Sequence, residues 1–147
     1  MDTQTSTIDG LVEDFGFLDD WEDRYRYVIE LGRTLPELTP AEHNDANKVR
    51  GCASQVWLVS KVVRNGEKHL VFRGDSDAHI VRGLIAILLS LYSGRTPQEI
   101  VDTDPEAVFH RIGLREHLTS QRSNGLSSMV ARIRADAEAA LNGSDLT

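Results

Sequence analysis

The spacing of apolar residues changes twice along the chain, and each change marks a new kind of element. Near the start, Ile8, Leu11, Val12 and Phe15 recur as one face of a short helix. Asp19 and Asp20 then offer capping carboxylates for a second helix from Trp21 to about Leu31. Trp21, Tyr25, Val28 and Ile29 are expected on its inner face, with Gly32 as its terminator. Thr39-Pro40-Ala41-Glu42 has the form of a capping box with proline in the first helical position, so one more short turn is expected there.

Past the polar stretch 45–52 the period shortens from helix to strand. Val56 to Val63 is rich in β-branched and aromatic residues, and His69 to Phe72 is a second such run. Between them Asn65-Gly66 predicts a type I′ hairpin turn, in which both residues take positive φ. Lys48-Val49-Arg50 reads as a brief third strand. Leu58 and Val62 share one face of the first long strand and Trp57, Val59 and Val63 the other, so both faces are expected to be at least partly covered.

The pattern then returns to helix. Ser76 is expected to cap the next one, with Asp77 favouring its positive end. From Ile80 to Tyr92 the sequence is apolar almost all round, which marks a central core helix closed by Gly94. Thr96-Pro97-Gln98-Glu99 is a second capping box. Asp104-Pro105 opens a helix carrying Val108, Phe109 and Ile112 and ended by Gly113. Leu126, Met129, Val130, Ile133, Ala137, Ala140 and Leu141 keep helical spacing in a last helix, with a tail expected to fray after Asn142. The predicted fold is α+β: a small three-stranded antiparallel sheet with helices packed on one side. It forms a single domain over residues 1–147, with its core at about 8–141.

Composition narrows the function. A chain of 147 residues buries roughly 68–70% of its unfolded surface, enough to fold without disulfides or structural metal. Its net charge of −7 argues against a nucleic-acid partner, which needs a basic stripe. The polar segment from Met1 to Asp9 lacks the profile of a signal peptide. The apolar run from Ile80 to Tyr92, interrupted by Arg82 and Ser90, is shorter than the roughly 20 residues that cross a bilayer. A cytoplasmic protein without membrane contact is therefore expected. One cysteine makes no internal disulfide and no Cys-rich zinc or iron–sulfur site.

That residue, Cys52, is the main chemical candidate. Lone cysteines are commonly buried small hydrophobes, but Cys52 stands outside the periodic apolar segments, directly after Gly51, where loops display reactive groups. Lys48 and Arg50 are near enough in sequence to favour a thiolate. A hydrolase nucleophile would need a base within reach. Of His43, His69, His79, His110 and His117, only His79, beside the Asp75-Ser76-Asp77 stretch, is a candidate. Cys52, Asp75, Asp77 and His79 make a poor metal set, since both acids have a capping role. Arg122 has no local signature beyond standing at the start of the last helix, where Asn124-Gly125 reads equally well as a turn. Trp21 and Trp57 fall within apolar patterns and are read as core.

Several segments together resemble one family. They are Trp21-Glu22-Asp23-Arg24-Tyr25 with Ile29-Glu30-Leu31-Gly32, and Gly51-Cys52-Ala53-Ser54-Gln55-Val56-Trp57. Gly74-Asp75-Ser76-Asp77-Ala78 with Ile80-Val81 and Gly83-Leu84 follow, then Tyr92, Thr96-Pro97, Gly113-Leu114 and Arg122 with Gly125-Leu126. In this order, over residues 15–140, they resemble the SufE family of sulfur acceptors, whose fold is related to that of IscU-type scaffolds. Ala53 departs from the glutamine often found there. The resemblance implies that Cys52 accepts sulfur as a persulfide from a pyridoxal-phosphate-dependent cysteine desulfurase, SufS-like or CsdA-like. It implies that the protein stimulates that enzyme without being one, and passes sulfur to a downstream iron–sulfur scaffold. It further implies that Gly51 lets the loop swing, that Asp75 helps hold it and that Arg122 faces the desulfurase. No cofactor or metal is expected on this chain; the pyridoxal phosphate is the partner's. Two other readings remain: a binding or scaffold module with a structural Cys52, and a stand-alone cysteine hydrolase.

Overall fold

A computed structural model describes residues 3–143. The expected fraying beyond Asn142 concerns mainly residues 144–147, which lie outside the described residues, as do the first two. Helix α1 (Thr3–Phe17) is followed by α2 (Trp21–Gly32), a 3-10 turn at Pro40–Glu42, strands β1 (Val56–Asn65) and β2 (Glu67–Ser76), and helix α3 (His79–Tyr92). Helices α4 (Pro97–Asp102) and α5 (Pro105–Ile112), a 3-10 turn at Arg115–His117 and the long helix α6 (Ser120–Leu141) complete the chain. The local signals act as expected at several ends. Asp20 accepts from the Asp23 amide, and both Thr39 and Thr96 form complete capping boxes with the glutamate three residues on. Gly113 closes α5 in the left-handed conformation at φ +65°.

The sheet is smaller than expected. Among the described residues it has two antiparallel strands, paired from Val56 opposite Ser76 to Asn65 opposite Glu67. The predicted third strand is reduced to one bridge, Lys48 opposite Trp57. Only the Val49 amide to Val56 and the Leu58 amide to the Asn47 carbonyl are made, both 2.8 Å. The chain then leaves the ladder at Gly51, whose φ of +85° turns it away. The hairpin turn is not type I′ either. Gly66 has φ +81°, but no non-glycine residue among those described has positive φ, so Asn65 does not share the strain.

Val56, Leu58, Leu70, Phe72 and Gly74 form the buried face of the hairpin, and α3 and α6 pack against it. The outer face is covered mainly at its Trp57 end, where His43 meets the Trp57 ring edge-on at 4.7 Å. Val63 and Val71 on that face are 36% and 38% exposed. The core helix α3 buries Leu84, Ile85, Ile87, Leu88 and Tyr92 almost completely. Each aliphatic one contributes about 1.5–3 kcal/mol by leaving water.

Four further expectations are corrected. Tyr25 is 44% exposed and does not line the inner face of α2; Val28 and Gly32 are the buried residues there. Gly32 is not a left-handed terminator but a close-approach residue, where a Cβ would lie 2.7 Å from the Gly83 nitrogen of α3. Ser76 stays in β2, and the N-cap of α3 is Ala78, which has no side-chain cap bond. Leu141 keeps the spacing of α6 but is 45% exposed at its end.

Candidate functional site: the cysteine loop

Cys52 sits at the tip of a short loop closed by the Lys48–Trp57 bridge and the Val49–Val56 hydrogen bond. Its Sγ is half-buried against α6, 3.6 Å from the carbonyl oxygen of Gly125. Gly125 lies inside the helix, so Asn124-Gly125 is not a turn. The sulfur packs on this bare stretch of helix: a Cβ on Gly125 would lie in ordinary van der Waals contact with Sγ at 3.6 Å and the Cys52 Cβ at 3.8 Å. Beside the thiol is a cavity of about 320 Å³. Val56, Val81, Leu84 and Met129 supply its apolar wall, and Ser54, Thr119, Gln121 and Arg122 its polar rim.

The loop is tethered from both sides. From α6, Arg122 donates to Ser54 Oγ at 3.1 Å and Ser128 Oγ to the Gly51 carbonyl at 3.4 Å. Arg132 donates to the carbonyls of Ala46 (2.8 Å) and Lys48 (3.3 Å). From the start of α3, the Asp77 carboxylate accepts from the Gln55 amide at 3.0 Å. Asp75 acts one step further back. Its carboxylate hydrogen-bonds His43 Nε2 at 2.8 Å and is ion-paired, without a hydrogen bond, to Arg82, whose Nε lies 3.4 Å away. His43 Nδ1 faces the Thr39 carbonyl at 2.9 Å, so both acceptors are satisfied together only by the doubly protonated ring. The Asp75 hydrogen bond accordingly raises the His43 pKa. Glu42 and Arg73 pair beside it and fix the turn that precedes the loop.

The sequence brings Gly51, Cys52 and Arg122 to one place; Asp75 is linked to it through the His43 turn. It did not single out Asp77 as a loop tether, nor Ser128 or Arg132. The signal was the helical spacing of 122, 125, 128 and 132, which puts them on one side of α6, but nothing local says that a loop lies against that side. His79 is exposed, and among the described residues no histidine lines the cavity. Asp75 and Asp77 are both engaged in tethers, and no group of three His, Cys, Asp or Glu among the described residues is placed to hold a metal ion. None of the helices described is long and apolar enough to cross a membrane.

Burial pushes the Cys52 thiol above its ordinary pKa, and neither Lys48 nor Arg50 offsets this. At neutral pH the resting side chain is therefore the thiol. Alkylation by iodoacetamide should be slow at pH 7 and rise with pH through a midpoint above that of the same chain in denaturant. A folded-state midpoint at or below the denatured one would mean that a cation, not burial, governs the sulfur.

A single thiol, carried on a loop after a glycine and held over a cavity between a sheet and its helices, defines a thiol-presenting protein; among the described residues no histidine, aspartate or glutamate lines that cavity. Comparison with known proteins gives the family. Residues 9–137 match the model of SufE, described as an Fe-S metabolism associated domain. An uncharacterized SufE-like protein of Rhizobium meliloti is 54% identical over 137 residues, spanning 92% of this chain and 98% of that one. Another, of Rhizobium etli, is 58% identical over 134 residues and 90% of each chain. The solution structure of a hypothetical protein from Thermus thermophilus superposes with a TM-score of 0.73, covering 93% of this chain and 97% of that one; at 21% identity it shows the fold alone. The chain belongs to the SufE family, and its function lies in iron–sulfur metabolism.

Proposed function

We propose that the protein is a sulfur acceptor, taking sulfur from a pyridoxal-phosphate-dependent cysteine desulfurase onto Cys52 and delivering it to iron–sulfur cluster assembly in the cytoplasm. The observation that carries this reading is the placement of Sγ: on a tip loop with a glycine hinge, next to an apolar-walled cavity with room for one more sulfur atom. The family resemblance supplies the reaction class, and the site has what that reaction needs. Persulfide exchange requires a thiolate, access and in-line approach, with no general base built in.

In the step itself, Cys52 moves out of its cavity as the loop docks on the desulfurase, whether SufS-like or CsdA-like. Leaving the apolar wall removes the burial that holds the proton on, and that proton passes to solvent. The thiolate attacks the outer sulfur of the desulfurase persulfide. A sulfur–sulfur bond forms at Cys52, the bond to the desulfurase cysteine breaks, and that cysteine leaves as a thiolate. The chain therefore ends as a Cys52 persulfide and the desulfurase is freed for another turnover. In this reading Gly51 is the hinge, Asp75 and its His43 and Arg82 partners steady the turn before the loop, and Arg122 exchanges Ser54 for the partner.

The test is intact-protein mass spectrometry after incubation with an active desulfurase and free cysteine, followed by peptide mapping. A reductant-reversible gain of sulfur on the Cys52 peptide, together with faster desulfurase turnover, is the expected result. No gain and unchanged turnover with a cognate enzyme would overturn it.

A further inference from the structure

We infer that Arg132 is a positioning residue for sulfur transfer, a clamp that sets which part of the cysteine loop can move. The inference rests on the sulfur-acceptor reading above. Arg132 lies on α6, well along the helix from the cavity rim and absent from the cavity wall. All three guanidinium nitrogens are used. Nη2 and Nη1 reach the carbonyls of Ala46 and Lys48, and Nε lies 3.4 Å from Asp136 Oδ1. Asp136 in turn accepts from Ser60 Oγ of β1 at 2.8 Å. One side chain thus ties the segment feeding the loop to both the last helix and the hairpin.

The tie adds to what holds the stem. The segment 46–49 is otherwise anchored by the buried Val49 side chain, by Asn47 bonds to Asn44 and the Glu42 carbonyl, and by two backbone hydrogen bonds to β1 at a single bridge, and so short a strand pairing is marginal by itself. Charge-assisted bonds to carbonyls are stronger than neutral ones, and here two of them fall directly on the stem. Beyond the stem, the contacts of the tip are weak or exchangeable: Gly51 to Ser128 at 3.4 Å, Sγ to Gly125 at 3.6 Å and Ser54 to Arg122 at 3.1 Å. The Asp77 bond to the Gln55 amide fixes the other end. The mobile unit is therefore 50–54, with Cys52 three residues from each fixed end. At about 3.3–3.6 Å per extended residue, the Cys52 backbone stays within roughly 10–11 Å of each fixed end.

A short, firmly held flap concentrates the thiol where a docked partner presents its persulfide. A longer, looser one spreads it over a larger volume and lowers its effective concentration there, while exposing it more to small molecules in solution. Loss of the clamp should thus move two rates in opposite directions. Simple weakening of the fold has no reason to do so while β1 stays intact.

The experiment compares wild type, Arg132→Gln and Arg132→Lys, the last retaining one charged donor. It measures amide exchange at 48–49 and in β1, Cys52 alkylation by iodoacetamide, and sulfur uptake from both a desulfurase and inorganic polysulfide. For Arg132→Gln we expect faster exchange at 48–49 with β1 unchanged and several-fold faster alkylation. Uptake from the desulfurase should be several-fold slower, with no slowing from polysulfide, and Arg132→Lys should lie between. Equal rates in wild type and Arg132→Gln overturn the inference. So does β1 losing protection with both uptake rates falling together, which would make Arg132 a packing residue. If wild type takes sulfur from polysulfide but not from an active desulfurase, or from neither, the acceptor reading falls and this inference with it. If wild type accepts from the desulfurase and Arg132→Gln matches it, only the clamp falls.

Discussion

Replacing Cys52 by serine is expected to abolish covalent sulfur uptake completely while leaving the melting temperature within a few degrees of wild type. The first half follows from composition. Cys52 is the chain's one cysteine, so no second thiol can substitute for it. The second half follows from how little holds the sulfur. Sγ makes one long contact, to the Gly125 carbonyl, which a serine hydroxyl can also approach as a donor. The side chain is only half-buried, so the lost apolar contact costs about 1 kcal/mol or less, or roughly 2–4 °C in a domain of this size. Intact mass and thermal unfolding of the same sample check both halves. Sulfur retained covalently by the serine variant would rule Cys52 out as the acceptor. A large fall in melting temperature would show instead that the cysteine is a packing residue.

The largest loss of stability is expected from Gly83→Ala, at a residue that touches no chemistry. Helices α2 and α3 approach closely at two glycines: a Cβ on Gly32 would meet the α3 chain at Arg82 and Gly83, and one on Gly83 would meet Val28 of α2. A Cβ on Gly83 would overlap the Val28 carbonyl oxygen and come within 2.5 Å of Val28 Cγ1 and 2.7 Å of its carbonyl carbon. Backbone cannot step aside as a flexible side chain can, so the helices must separate along their contact. Overpacking of this kind costs typically 1–3 kcal/mol and occasionally more, against at most about 1 kcal/mol recovered from alanine's better helix propensity. A net loss of about 2 kcal/mol or more is expected, which lowers the melting temperature by roughly 4–8 °C. Denaturant titration is the check; an unchanged midpoint would mean that the helices are not this close.

Those glycines also mark where the sequence stopped being legible. Elements with a local cause were read correctly: the capping boxes at Thr39 and Thr96, the Asp20 cap, the Gly113 terminator and the all-apolar α3. The cysteine loop, with Gly51, Cys52 and the Arg122 rim, was legible through the motif it carries. Features caused by a distant segment were not. Gly32 does end α2, but in place of a left-handed turn it serves the close approach of α3. Ser76 looks like a cap until it is seen to be the last paired residue of β2, opposite Val56. The third strand failed because Gly51 turns the chain out of the ladder after one pair, although its residues suit a strand. The two tethers from Asp77 and Arg132 join residues 22 and more than 80 apart in sequence, and no local pattern encodes such a pairing.

The resting place of Cys52 has a consequence for survival in an oxygen-containing cell. Oxidants attack the thiolate, and they need access to it; sulfenic acid forms first, and further steps are irreversible. By holding the sulfur as a half-covered thiol against Gly125, the fold withholds the form that peroxide consumes. On the sulfur-acceptor reading proposed above, the proton lost on leaving the cavity would be a safety catch, set while the protein is alone and released where a docked partner presents its sulfur.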